Sequence, residues 1–296
     1  MPALRDAISS QVLRLVGRRD GDTPFLESTR DAGYFGPDSV AWRVHGDFTS
    51  MMIGGVTALL LQMLHPRALA GVWDHSNFRE DMRGRLRRTA RFIAGTTYGS
   101  SDEADALIAH VQEIHDHVSG ALPDGTPYSA NDPELLTWIH VAEVHSFLAA
   151  YLRYKGALTE AEQDRYYRES AIVAEKLGAT EVPKSRAAVA AYLDDVRGEL
   201  LYDHRTAEVA DALLNQPAPL TIAPFMKLIF QAAEDLLPAW AQEMHGFKPT
   251  PASAPAVRTA ARGLGRVLRW ALSNSVEVRA RRRAAELGLK PAPATA

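Results

Sequence analysis

The sequence predicts an all-α protein. Apolar residues recur at the helical period through most of the chain, and no alternating run is long enough to argue for a sheet. The breaks fall on turn chemistry, at His65-Pro66, Gly99-Ser100, Pro123-Asp124-Gly125 and Asn131-Asp132-Pro133. The predicted helices span residues 4–17, 47–64, 66–73, 82–98, 103–119, 133–155, 159–178, 184–200, 206–214, 222–244 and 256–286.

Each has its own justification. Residues 4–17 read as an amphipathic helix without the apolar run and cleavage site of an export signal, so a cytoplasmic protein is expected. Residues 51–64 are the most apolar stretch. They are about one turn short of a membrane span and end at His65-Pro66, so a buried helix is expected, with Gly54-Gly55 allowing close packing and no integral membrane segment. Residues 82–98 follow Asp81, a candidate N-cap. On that helix Arg85, Arg88, Thr89, Phe92 and Thr96 share one face; burial of Phe92 would draw the two arginines inward, where they need anions.

Residues 103–119 carry three histidines. Leu107, Val111, Ile114 and Val118 form the apolar face, with His115 at its edge beside Ile108, while His110, Glu113 and His117 group on the polar side. A single inward imidazole suits either a hydrogen-bonded core position or a buried haem iron. The helix at 133–155 starts on Asp132-Pro133 and is apolar nearly all round, so it should be central; Glu143 is the only acid in WIHVAEVHSFLAAYL. His140 aligns with Leu136, Val144, Phe147 and Tyr151, and His145 with Trp138, Val141, Leu148 and Leu152, as core histidines or as part of a pocket. Thr159, with Gln163 nearby, is a weaker start for the next helix. The loop at 216–219 does not divide the chain, and the tail at 290–296 is low-complexity and expected to be mobile.

Composition narrows the chemistry. With 296 residues, 46% hydrophobic and 23% charged, the chain can bury a large core. A net charge of -3 gives no pull toward nucleic acid, and none is expected as a partner. The absence of cysteine removes disulfides, thiolate zinc, iron–sulfur clusters and thiolate-ligated haem. There is no phosphate loop after a strand, no GxSxG elbow and no HExxH pair. His110, Glu113 and His117 have the types of a non-haem iron site, but three ligands on one straight helix converge poorly and read better as a solvated face.

Several ordered pieces together resemble one family. They are Trp42-Arg43-Val44-His45-Gly46-Asp47, Gly54-Gly55 leading to Gln62-Met63-Leu64-His65-Pro66, Asp74-His75-Ser76 with Phe78, and Arg85, Arg88 and Thr89. His115 to Gly120, Asp124 to Pro133 and Trp138-Ile139-His140 complete the set. Over about residues 38–245 the chain resembles the oxygenase catalytic domain shared by latex-clearing rubber oxygenases and MpaB-type enzymes. The resemblance implies a single helical domain with a globin-like core around haem b, an N-terminal helical extension at 1–37, and a C-terminal helix and tail at 246–296. It implies His115 as the iron ligand, with Arg85, Arg88 and Thr89 along the distal side or on the propionates. His45, His65, His75 and His140 match family positions around the cofactor. Arg88 stands where the rubber enzymes have lysine, and arginine is a poor iron ligand. Gln112 and Ser119 replace arginines, and the rubber-cleaving carboxylate has no counterpart, so polyisoprene cleavage does not carry over.

The expectation is therefore a haem b oxidoreductase that uses dioxygen or peroxide on a small apolar substrate such as an isoprenoid, lipid or secondary metabolite. A non-catalytic haem or hydrophobic-ligand carrier and a non-haem iron enzyme are the alternatives. The sequence does not fix the oligomeric state.

Overall fold

Two apolar helices cross at the centre, and the rest are arranged around them. The computed structural model describes residues 30–248 and 253–290, with Arg5, Ser9 and Leu26 besides. The predicted helix at 4–17 and the tail beyond Lys290 lie outside the described residues. In chain order the elements are α1 (Val40–His45), α2 (Phe48–Gln62), α3 (Pro66–His75), α4 (Phe78–Tyr98), α5 (Ser101–His115), β1 (Ser119–Ala121), β2 (Pro127–Ser129), α6 (Pro133–Tyr154) and α7 (Glu160–Leu177). They continue as α8 (Arg186–Asp195), a 3-10 turn (Val196–Glu199), α9 (His204–Leu214), α10 (Ala223–Leu236), α11 (Ala239–His245), α12 (Ser253–Ala271) and α13 (Val276–Leu287).

The local chemistry of the helix starts is met. Asp47 accepts from Ser50 N at 3.0 Å to open α2, Ser100 and Glu103 form a capping box at α5, and Asp132 caps α6 ahead of Pro133. Thr159 also forms a capping box, but its partner is Glu162 at the N3 position rather than Gln163. Asp81 departs from helical geometry (φ -138, ψ 54) and kinks α4, and its Oδ1 accepts from Gly84 N at 2.8 Å. Asp81 is thus the N-cap of the longer part of α4, as its position predicts. Asp81→Ala is expected to cost about 1 kcal/mol, read as a fall of a few degrees in Tm, with Asp81→Asn nearly neutral.

Three predicted helices end early. Pro238 cannot donate to the ladder, so the predicted 222–244 run divides into α10 and α11. Ser275 caps a new helix, dividing 256–286 into α12 and α13. Helix α5 stops at His115, because the chain turns at Asp116 and His117 into an antiparallel two-stranded ribbon with Ser119 opposite Ser129. That ribbon is too short to leave an alternating pattern.

Helix α2 packs lengthwise on α6. Helices α1, α4 and α7 lie to one side, α10 and α12 to another, and α5 packs on α4 and α7. Trp42, Trp138, Tyr166, Phe78 and Phe147 are the largest fully buried side chains of this one all-α domain. The ribbon packs on α3, and α13 packs on α1 and α4. Among the described residues, α6 alone is long and apolar enough by itself to cross a membrane, yet 67% of that window is buried within the fold. Helices α2 and α3 meet that criterion only jointly, and they are bent by 103° at His65-Pro66.

Candidate functional site

Helices α4 and α5 fold back on each other about Gly99 and Ser100, which brings the start of α4 level with the end of α5. Arg85 and His115 therefore belong to the same end of the hairpin. Residues 87–91 of α4 are all exposed. Five consecutive exposed positions exceed one helical turn, so α4 is open on all sides there. Arg85 is enclosed, with its pKa lowered by burial and by neighbouring Arg88, and it donates to Ser76 Oγ at 3.0 Å. Arg88 and Thr89 are exposed. Arg88 reaches Asp81 at 3.5 Å, and Thr89 Oγ1 donates to Arg85 O on its own helix. Of the three predicted α4 residues, Arg85 alone is drawn into the protein.

His115 is half-buried at the last position of α5, and its Nδ1 is buried with no partner. Burial lowers its pKa, opposed by nearby Asn131 and Asp116. Asn131 donates to Asp116 at 2.7 Å, which ties the end of α5 to the approach to α6. The inward face of α5 differs in phase from the prediction. Ile114 is 49% exposed, while Ala104 and Ile108 are buried and Val111, Gln112 and His115 half-buried. Gln112 is the cause: its Nε2 donates to Lys176 O at 3.1 Å and Leu177 O at 3.4 Å, satisfying the carbonyl end of α7. His110 and Glu113 form an exposed pair 3.6 Å apart, and His117 is also exposed. Among the described residues no group of three or more histidines and carboxylates is placed to hold a metal ion.

The predicted histidines separate into two sets. His65 caps the start of α3, is buried against Trp138, and lies 3.5 Å from Glu199. His75 Nε2 lies 3.2 Å from both Ser119 O and Tyr128 OH, joining α3 to the ribbon. These two sit at joints of the fold. His45 and His140 belong instead to a buried cluster on α1, α4, α6 and α7. His45 Nδ1 is 2.9 Å from Thr97 Oγ1, its Nε2 is 2.9 Å from Tyr166 OH, and its ring meets Phe147 edge-on. Burial pushes His45 down to about 3, with a further contribution from His140. His140 is pushed down to about 4 by burial, and its Nε2 has no partner. Glu143, which sequence reasoning left out of the site, lies one turn from His140 and is pushed up to about 7 by burial; His145, on a different stripe of α6, is pushed down to about 4.

His45, His140 and Glu143 share a property. Lost hydration is the leading cause of the altered pKa of every one, yet each keeps some accessible surface. Surface that is accessible yet shielded from bulk water is what side chains bordering an interior recess carry. Its titratable groups on α1 and α6 are held in their uncharged forms near neutral pH, apart from Glu143, which is balanced there. Such a recess would favour an apolar molecule and penalise any charge brought in without a partner.

The all-α domain thus carries a half-buried imidazole, His115, and an enclosed guanidinium, Arg85, at one end of the α4–α5 hairpin. The family described as "ER-bound oxygenase mpaB/B'/Rubber oxygenase, catalytic domain" matches residues 42–270, and the chain belongs to it. No curated protein and no solved structure matches the chain.

Proposed function

We propose that the protein is a haem b-dependent oxygenase acting on a small apolar substrate, with the cofactor in a globin-like helical pocket and His115 as its protein ligand. The observation that carries this reading is the buried, unpartnered Nδ1 of His115, level with the enclosed Arg85 on the same helical hairpin. The donor set fits the group. One imidazole suits a macrocycle that supplies four of the iron's ligands itself, better than it suits a bare ion. Burial keeps His115 neutral, as a ligand must be. Arg85 would pair with a propionate, and the exposed Arg88 and Thr89 would lie at the rim of the pocket. When bound, haem supplies the oxidising chemistry with dioxygen or peroxide. The recess would exclude water and charge around an apolar substrate, with His45 held on its wall by Thr97 and Tyr166.

The test is an absorption spectrum of protein purified with haem supplied. A Soret band in the wild type is expected to fall at least about tenfold in His115→Ala, with the helical circular dichroism unchanged. No band in the wild type would turn the reading toward a non-haem iron enzyme or a carrier of another apolar ligand. A band without oxygen consumption on any alkene would leave a haem carrier.

A further inference from the structure

Glu143 is the unusual residue of the recess. It lies mid-way along α6, a helix that is otherwise almost wholly apolar, and among the described residues no hydrogen bond or ion pair reaches it. A buried carboxyl is ordinarily matched by a cation or by several donors. Glu143 has neither, and it keeps accessible surface. His140, three residues earlier and so one turn away on the same side of α6, also carries a buried Nε2 with no partner. The next polar groups are already engaged, since His45 bridges Thr97 Oγ1 and Tyr166 OH at 2.9 Å each. Two unpartnered polar groups thus stand one turn apart on one side of an apolar helix.

We propose that Glu143, with His140 beside it, is the polar contact of the recess and holds the hydroxyl of an uncharged, otherwise apolar molecule. A hydroxyl both donates and accepts, so one such group can serve a carboxyl and an imidazole together. A ligand carboxylate or phosphate would meet Glu143 with no cation to offset it. An ammonium would require a buried ion pair, whose desolvation cost offsets much of its attraction. A plain hydrocarbon would bury both groups unsatisfied. This inference rests on the recess being the substrate pocket, and it names the class of molecule that pocket takes.

The probes are geraniol, the hydrocarbon myrcene, geranic acid and geranylamine, titrated calorimetrically into haem-supplied protein. Geraniol is expected to bind about tenfold or more tightly than myrcene and than either charged analogue. In Glu143→Leu the geraniol preference over myrcene should shrink to within about threefold while myrcene binds at least as well. Glu143→Gln preserves the shape and should retain part of the preference, which keeps the test valid if the leucine variant folds poorly. Equal binding of geraniol and myrcene overturns the proposal. So does tighter binding of a charged analogue, failure of all four to bind, or a preference untouched by Glu143→Leu. A geraniol preference without a Soret band would sink the haem reading alone, and a Soret band without the preference would sink this one alone.

Discussion

Gly54→Leu is expected to lower Tm by about 10 °C or prevent folding, whereas Gly55→Ala raises it by a few degrees. The two glycines are adjacent on α2, and the difference lies in what each faces across the crossing with α6. A Cβ at Gly54 would stand 2.9 Å from Ser146 O, 3.0 Å from Phe147 Cα and 3.0 Å from Phe147 Cδ1. Two of those are backbone atoms of a buried helix and cannot rotate away. The helices would have to separate, opening a core that includes Ile53, Leu60, Trp138 and Val141. Overpacking at such a contact costs about 3 kcal/mol or more. At Gly55 an added Cβ would meet only Phe147 Cε1, at 3.8 Å, an ordinary contact. Alanine there also removes freedom from the unfolded chain and gains helix propensity, together about 1 kcal/mol. Thermal unfolding followed by circular dichroism separates the two, and equal shifts would refute close packing as the reason for Gly54.

Features encoded within one or two turns of chain were legible. Asp132-Pro133 starts α6, Asp81 restarts α4 and His65-Pro66 bends the chain between α2 and α3, because caps and prolines act on their own neighbours. The divisions at Pro238 and Ser275 had equally local signals, which apolar periodicity overrode. The phase of α5 was not local. It depends on carbonyls of α7 that Gln112 reaches from 64 and 65 residues away in sequence. The same holds for the candidate site. His115 and His140 stood out by residue type and phase, but His45 meets Thr97 and Tyr166 across 52 and 121 residues, and nothing near it in sequence announces that pairing. Glu143 did leave a signal, as a lone acid in an apolar helix. Burial converts that oddity into chemistry, and only the packing of α1, α6 and α7 shows that no partner among the described residues comes to meet it.

Glu143→Gln is expected to stabilise the protein at about pH 8 and to have little effect at pH 4.5. An unfolded Glu143 ionises near 4.5, while burial holds the folded carboxyl protonated up to about 7. The folded pKa is raised, so the stability associated with this group is full below 4.5, declines as pH rises toward 7, and stays lost above it. A tenfold change in proton affinity is worth about 1.4 kcal/mol, so the loss reaches about 3 kcal/mol at most. Glutamine has no proton to release and escapes that loss, which predicts a gain of several degrees in Tm on the alkaline side. The neighbouring histidines act in the opposite sense. His45, at about 3, and His140 and His145, at about 4, lie below their ordinary 6.5, so their stability is full above 6.5 and declines as pH falls toward 4. Wild type and variant should therefore weaken together in acid and diverge only as pH rises. A carboxyl retained for structure would give the reverse result, with glutamine destabilising at every pH. A carboxyl that weakens the fold at neutral pH, next to an imidazole that is also unpartnered, is what a recess built to hold a ligand would carry.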